Sequence, residues 1–181
     1  MRRTTFEPEH DDFRETARRF FTEEVVPHNE QWERDGIVPR ELFAKAAEKG
    51  MLAMAVPEEH GGLGLADFRF NQVIVEEAAY AGVGAAGLGI TLHNDICLPY
   101  LLELCNDEQA ARWLPGVADG SLITALALTE PGIGSDLARM STSAIRQDGE
   151  YVVNGAKTFI TNGINADLVI TAVKTDPTQR H

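Results

Sequence analysis

Residues 127–136 read ALTEPGIGSD, and the chain changes character just ahead of them. Before Ser121, apolar residues recur at three- and four-residue steps, the spacing of one helix face. After Ser121 the apolar runs are short, β-branched and separated by Asp-Gly and Asn-Gly pairs, the pattern of strands joined by tight turns. The stretch itself begins as the end of a strand and continues as a loop built on Pro131, Gly132 and Gly134. The fold class that follows is α+β. An all-helical N-terminal domain over 1–121 precedes an incomplete antiparallel β domain over 122–181.

Working outward toward the N-terminus, five helical stretches are predicted. Pro8 opens the first, and Phe13, Ala17, Phe20, Phe21 and Val25 form its apolar stripe up to Pro27, where it is expected to stop. A second runs from Pro39 to Gly50 with Leu42, Phe43, Ala46 and Ala47 inward. Residues 57–66, PEEHGGLGLA, form a Gly-rich loop, and Asp67 is the N-cap of a helix carrying Val73, Ile74 and Ala78. Residues 83–104 are small and apolar, broken or kinked at Pro99. Asn106 and Gln109 make a capping box for a helix with Ala110, Trp113, Leu114 and Val117, ended by Gly120. Toward the C-terminus, 122–128, 141–146, 151–153, 157–161 and 168–174 read as strands. So partial a sheet leaves an edge that further chain or a partner must cover.

The bulk composition narrows the function classes. The chain has 181 residues and a formal net charge of -12, which disfavours nucleic acid and anionic membrane surfaces. Any anionic ligand must be held by local donors. No window is apolar for long enough to span a membrane, and Met1-Arg2-Arg3 is followed by acidic residues and not by an apolar signal segment. Cys97 and Cys105 match no zinc spacing. On one helix they would stand about 12 Å apart. That is beyond disulfide reach, so free thiols and a reducing, cytoplasmic compartment are expected. The five histidines are scattered, and no metal site is predicted.

Two stretches carry chemistry. In 127–136 the glycines permit positive φ, and successive amides with the Ser135 hydroxyl can form a nest for an anion. It is not a P-loop, since no Lys follows the last Gly. By spacing alone a surface turn between strands fits it better. In 157–163, KTFITNG, a strand would set Phe159 and Thr161 on one face, an aromatic and a hydroxyl suited to a flat heteroaromatic ring. An ordinary half-buried strand fits the same residues.

Taken together, with PEEHGGLG upstream and NGAK between them, these motifs resemble the acyl-coenzyme A dehydrogenase family over essentially the whole chain. Ala127, Leu128, Thr129, Glu130, Gly134, Ser135 and Asp136 match its signature. Ile133 and Arg139 depart from it, and Phe159 stands in place of the commoner Trp. The look of NGAKTFITNGINADLVI is nearest the long-chain branch.

The resemblance implies an FAD-dependent oxidoreductase of fatty acid β-oxidation. It would remove hydrogens from the α and β carbons of an acyl-CoA thioester and pass electrons to an electron-transferring flavoprotein. It implies flavin contacts from Leu126, Leu128, Thr129, Gly134, Ser135, Phe159, Ile160 and Thr161, with Ser135 also near the thioester. Glu130 and Asp136 are expected to order the loop, not to catalyse. The catalytic base is expected C-terminal to His181, so no catalytic residue is assigned within this chain. The chain is thus expected to be a fragment or truncated form that is inactive alone and belongs to a homo- or hetero-oligomer. The polar run 177–181 would be a place to cut. An acyl-CoA oxidase or flavin monooxygenase of the same fold, or a non-catalytic half needing a partner chain, are the rival readings.

Overall fold

The computed structural model of the chain describes residues 4–176, so the cleavage reading at 177–181 lies outside the described residues. The chain divides into two compact units, Met1–Ile123 and Thr124–His181.

The first unit is helical. Helices α1 (Pro8–Phe20) and α2 (Val26–Asp35) are joined by a π-helical turn, Phe21–Val25. Then follow α3 (Glu41–Glu48), α4 (Phe68–Tyr80) and α5 (Gly84–Thr91). A second π turn, Leu92–Cys97, leads into α6 (Leu98–Leu104), and α7 (Asp107–Asp119) closes the series. The start signals act as the sequence indicates. The Asp67 carboxylate accepts from the Arg69 N–H at 3.0 Å. The Asn106 side chain accepts from Gln109 N–H at 2.9 Å, and Gln109 returns a bond to Asn106 N–H at 3.1 Å.

Pro27 does not stop the first helix. Val26 donates to Phe21 O, five residues back, and the widened turn makes room for the proline ring. Pro99 is accommodated the same way, with Leu98 donating to His93 O. The core is built from Phe21, Phe43, Met51, Ile74 and Ile90. His93 is fully buried among them, its Nε2–H donating to Val117 O at 3.0 Å. Burial lowers its pKa to about 4 against the opposing pull of that bond. Cys97 is buried and Cys105 half-buried, and neither forms a disulfide.

The second unit contains four strands among the described residues. Strands β2 (Ser143–Gln147) and β3 (Glu150–Asn154) form an antiparallel hairpin. Its two-residue turn has Asp148 at φ 49° and Gly149 at φ 89°, the left-handed pair such a turn demands. Strand β1 (Thr124–Ala127) pairs with β4 (Leu168–Thr171) in parallel, with Leu126 opposite Ile170. The antiparallel expectation therefore covers β2–β3 but not β1–β4. Residues 128–167 all intervene between β1 and β4, which is length enough for a crossover. Residues 157–161 are not a strand: Phe159 has φ 57° and Asn162 φ 63°, and left-handed residues cannot continue an extended run.

Candidate functional site: the loop after β1

Strand β1 is buried apart from half-buried Leu126, and it delivers half-buried Leu128 and Thr129 to the loop. The chain then reverses tightly. Glu130 N–H donates to Ile133 O at 3.2 Å, and Ile133 N–H donates to Glu130 O at 3.1 Å, so Pro131 and Gly132 form the turn. Neither Gly132 nor Gly134 takes a positive φ, which corrects the expected nest geometry. A two-residue turn led by proline does not need it. What the glycines provide is room, since a Cβ on either would meet nothing within 4 Å.

Glu130 organises the surroundings. It is 4% exposed and accepts five hydrogen bonds. Oε2 takes Ser141 N–H at 2.8 Å and Ser141 Oγ at 2.6 Å. Oε1 takes Thr142 N–H at 2.9 Å, Thr142 Oγ1 at 2.5 Å and Lys157 Nζ at 3.0 Å. Burial pushes the carboxyl up, but the bonds from Ser141 and Thr142 outweigh it and hold it well below the usual carboxylate range. So weak a base, with both oxygens occupied, is unsuited to proton abstraction near neutral pH. Asp136 has no comparable role: its side chain is exposed and makes no capping bond. With Glu130 already pinning the loop, only the Asp136 carbonyl contributes, accepting from Arg139 N–H at 3.1 Å.

With the loop ordered from below, several donors on it stay unused. Within the described residues no hydrogen bond engages the N–H or hydroxyl of Thr129, the N–H of Gly134, or the N–H or hydroxyl of Ser135. Gly134 and Ser135 are exposed. The 157–163 segment meets the base of this loop. Thr158 N–H donates to Thr129 O at 3.0 Å, and Lys157 Nζ donates to Leu128 O at 3.0 Å. Phe159 is 91% exposed, while Ile160 and Thr161 are half-buried, and among the described residues no hydrogen bond engages the Thr161 hydroxyl. The structure thus joins Leu128, Thr129 and Glu130 to residues 157–158. No hydrogen bond links Gly134 or Ser135 to 159–161 among the described residues.

Sequence reasoning missed Ser141, Thr142 and Lys157. Only the Asn154-Gly155 pair hinted at them. A Cβ on Gly155 would lie 2.3 Å from Thr142 Oγ1, so this glycine is what lets β3 leave past the Glu130 cluster.

One acidic group with ion-binding spacing occurs among the described residues, Glu7, Glu9 and His10. His10 is already committed: Nδ1 accepts from Glu7 N–H at 3.2 Å and Nε2 meets Asp67 Oδ2 at 3.3 Å. No ring nitrogen remains for a metal. The donor set on the loop does fit a flavin dinucleotide. Its pyrophosphate needs amide and hydroxyl donors, and its ring edge needs further donors beside an exposed aromatic face.

Residues 7–121 match the N-terminal domain of acyl-CoA dehydrogenases, and residues 125–181 match the middle domain. The mitochondrial long-chain specific acyl-CoA dehydrogenase of Rattus norvegicus is 44% identical over 174 residues, covering 96% of this chain and 40% of that protein. A crystal structure of an acyl-CoA dehydrogenase from Geobacillus kaustophilus superposes with a TM-score of 0.90 at 48% identity, over 98% of this chain and 46% of that one. An acyl-CoA dehydrogenase from Bacillus anthracis, solved in complex with FAD, superposes with a TM-score of 0.84 at 34% identity, over 98% of this chain and 31% of that one. The chain therefore spans less than half the length of these relatives.

Proposed function

Because this chain belongs to the acyl-CoA dehydrogenase family, we propose that it carries the flavin- and thioester-facing part of a fatty acyl-CoA dehydrogenase. FAD, when bound, supplies the acceptor for the β hydrogen, which leaves the substrate as hydride. Thr129 would hold the ring edge, and the Gly134 and Ser135 donors would hold the pyrophosphate, with Ser135 also close to the thioester. Phe159 would cover the ring, Ile160 and Thr161 would border it, and Leu126 and Leu128 would line it. Such donors do most where water is excluded. The α proton needs a separate base. Glu130 is engaged on both oxygens and too weakly basic to be that base.

The observation that carries the reading is the division of labour in the loop. Glu130 satisfies the structure from beneath while Thr129, Gly134 and Ser135 keep their donors for a ligand. The likeness to the rat long-chain enzyme supports a long-chain acyl group. Electrons would pass to an electron-transferring flavoprotein, and the working form would be an oligomer. A reducing, cytoplasmic setting accords with two cysteines outside any disulfide.

The test uses protein purified at its native length, fixed by intact mass. A visible flavin spectrum is expected, bleached anaerobically by long-chain acyl-CoA and more weakly by short-chain thioesters. Reoxidation should be fast with electron-transferring flavoprotein and slow with oxygen. Protein that takes up no FAD, or whose flavin no acyl-CoA reduces, would remove the reading. Fast reoxidation by oxygen would instead assign an oxidase.

A further inference from the structure

We propose that Lys157 is a positioning residue that clamps the loop after β1 to the segment bearing Phe159, so that loop donors and aromatic face form one preformed surface. Three successive loop residues are held by two. Lys157 Nζ donates to Leu128 O and to Glu130 Oε1, each at 3.0 Å, and Thr158 N–H donates to Thr129 O at 3.0 Å. The ion pair is shielded, with side chains 11% exposed for Lys157 and 3% for Glu130. In so dry a place the bonds are strong, and loss of one partner leaves the other charge buried without its match.

The residue next to the clamp explains what it is for. Phe159 has φ 57°, a conformation that a bulky aromatic residue rarely adopts. The residue is 91% exposed, so packing within its own unit does little to offset that strain. Bonds on either side must hold it. The clamp acts before it, and the turn in which Gly163 N–H donates to Ile160 O at 2.9 Å acts after it. A strained, exposed aromatic held from both sides is a surface prepared for a flat partner. The identity of that partner rests on the flavin reading above; the clamp itself does not.

The experiment compares wild type, Lys157→Met and Lys157→Arg at native length. Amide hydrogen exchange is measured first, without flavin. Lys157→Met should speed exchange about tenfold or more at 128–130, 141–142 and 157–160, leaving 73–78 unchanged, and Lys157→Arg should recover most of the protection. FAD titration follows. Lys157→Met should weaken binding by a similar factor and shift the visible band of the bound flavin toward that of free flavin, and Lys157→Arg should restore both. Unchanged exchange in Lys157→Met would overturn the clamp. So would an equal rise over the whole β unit in both variants, which is the mark of general support only. Altered exchange with unaltered flavin affinity and spectrum would overturn the positioning role. Wild-type protein that binds no FAD, with local exchange changed as expected, would retire the flavin reading and leave the clamp standing for another flat ligand.

Discussion

Each unit buries a carboxylate, and the two are held by different chemistry. In the helical unit Glu77 on α4 is 1% exposed and meets two guanidinium groups from α1. Arg14 Nη1 donates to it at 2.9 Å and Arg18 Nε at 2.9 Å. In the β unit Glu130 takes four of its five bonds from uncharged amides and hydroxyls. The arginines weld one helix to another, with Arg14 half-buried and Arg18 61% exposed. The amides and hydroxyls of residues 141–142, with the Lys157 ammonium, gather these residues around Glu130 beneath a loop whose other donors stay free. The chemistry of the donors, more than burial, tells a packing carboxylate from one that shapes a binding surface.

The sharpest way to break that distinction is Glu130→Gln in flavin-loaded protein. A shaping role predicts lower flavin retention, with the single-turnover rate of flavin reduction per bound FAD nearly unchanged. Loss of a true general base would instead slow that step by roughly two to four orders of magnitude at intact flavin content. That outcome would make Glu130 catalytic and end the contrast with Glu77.

Acid should separate the two units next. His93 has its folded pKa lowered to about 4 by burial, so the unfolded state binds the proton first. Its contribution is whole above the unfolded value near 6.5 and drains away as pH falls toward 4, by roughly 3 kcal/mol. Asp95, two residues on, runs the other way. Burial raises its pKa, and protonation on acidification eases its place in the fold. Glu130, with its pKa held down, keeps its contribution above about 4.5 and loses it only in stronger acid. Trp32 and Trp113 are the chain's two tryptophans and both lie in the helical unit, so their emission reports that unit alone. Urea midpoints from tryptophan emission should drop between pH 6.5 and 4, and His93→Gln should flatten the slope. A flat wild-type profile would contradict the buried neutral imidazole.

Much of this was legible in advance because its causes are local. The Asn106–Gln109 box, the Asp67 cap and the Asp148-Gly149 turn each act within a few residues. The loop-ordering role of Glu130 was legible in kind, as a carboxylate that bonds backbone amides, but not in its partners, which lie 11 and 12 residues on. What escaped was non-local. Lys157 finds its partners 27 and 29 residues away, and nothing near it in the chain announces them. The alternation of Lys157 to Thr161 suggested a strand because period-two patterning cannot reveal that Phe159 turns left-handed. Pro27 was read as a stop because a π turn has no sequence signature of its own.

Gly155→Ala tests the β unit by itself. The added methyl would press on Thr142, whose amide and hydroxyl both serve Glu130. Overpacking of this kind destabilises by about 1–3 kcal/mol. Hydrogen exchange should rise at 141–142 and 128–130 while tryptophan emission stays unchanged. A stability within error of wild type would mean the cluster yields easily and does not shape the loop.

The smallest effect expected is at Ala53, where the helical unit stores strain of its own. Ala53 is fully buried at φ 46°, and Asn94 in the second π turn holds it there. The Asn94 side chain accepts from Ala53 N–H at 2.7 Å and donates to Met51 O at 2.8 Å. Glycine adopts this conformation freely, so Ala53→Gly relieves roughly 1–2 kcal/mol of backbone strain. Against that stand a lost buried methyl, about 0.8 kcal/mol, and a more flexible unfolded chain, about 0.4–1 kcal/mol. The terms nearly cancel, and the urea midpoint should move little. Ala46→Gly, in the buried face of α3, loses its methyl and about 1 kcal/mol of helix preference with no strain to relieve. Measured side by side, Ala53→Gly should be the less damaging change by about 1 kcal/mol or more. Equal losses at the two sites would mean that the left-handed alanine is unstrained, and that Asn94 merely satisfies two amide groups without forcing the turn.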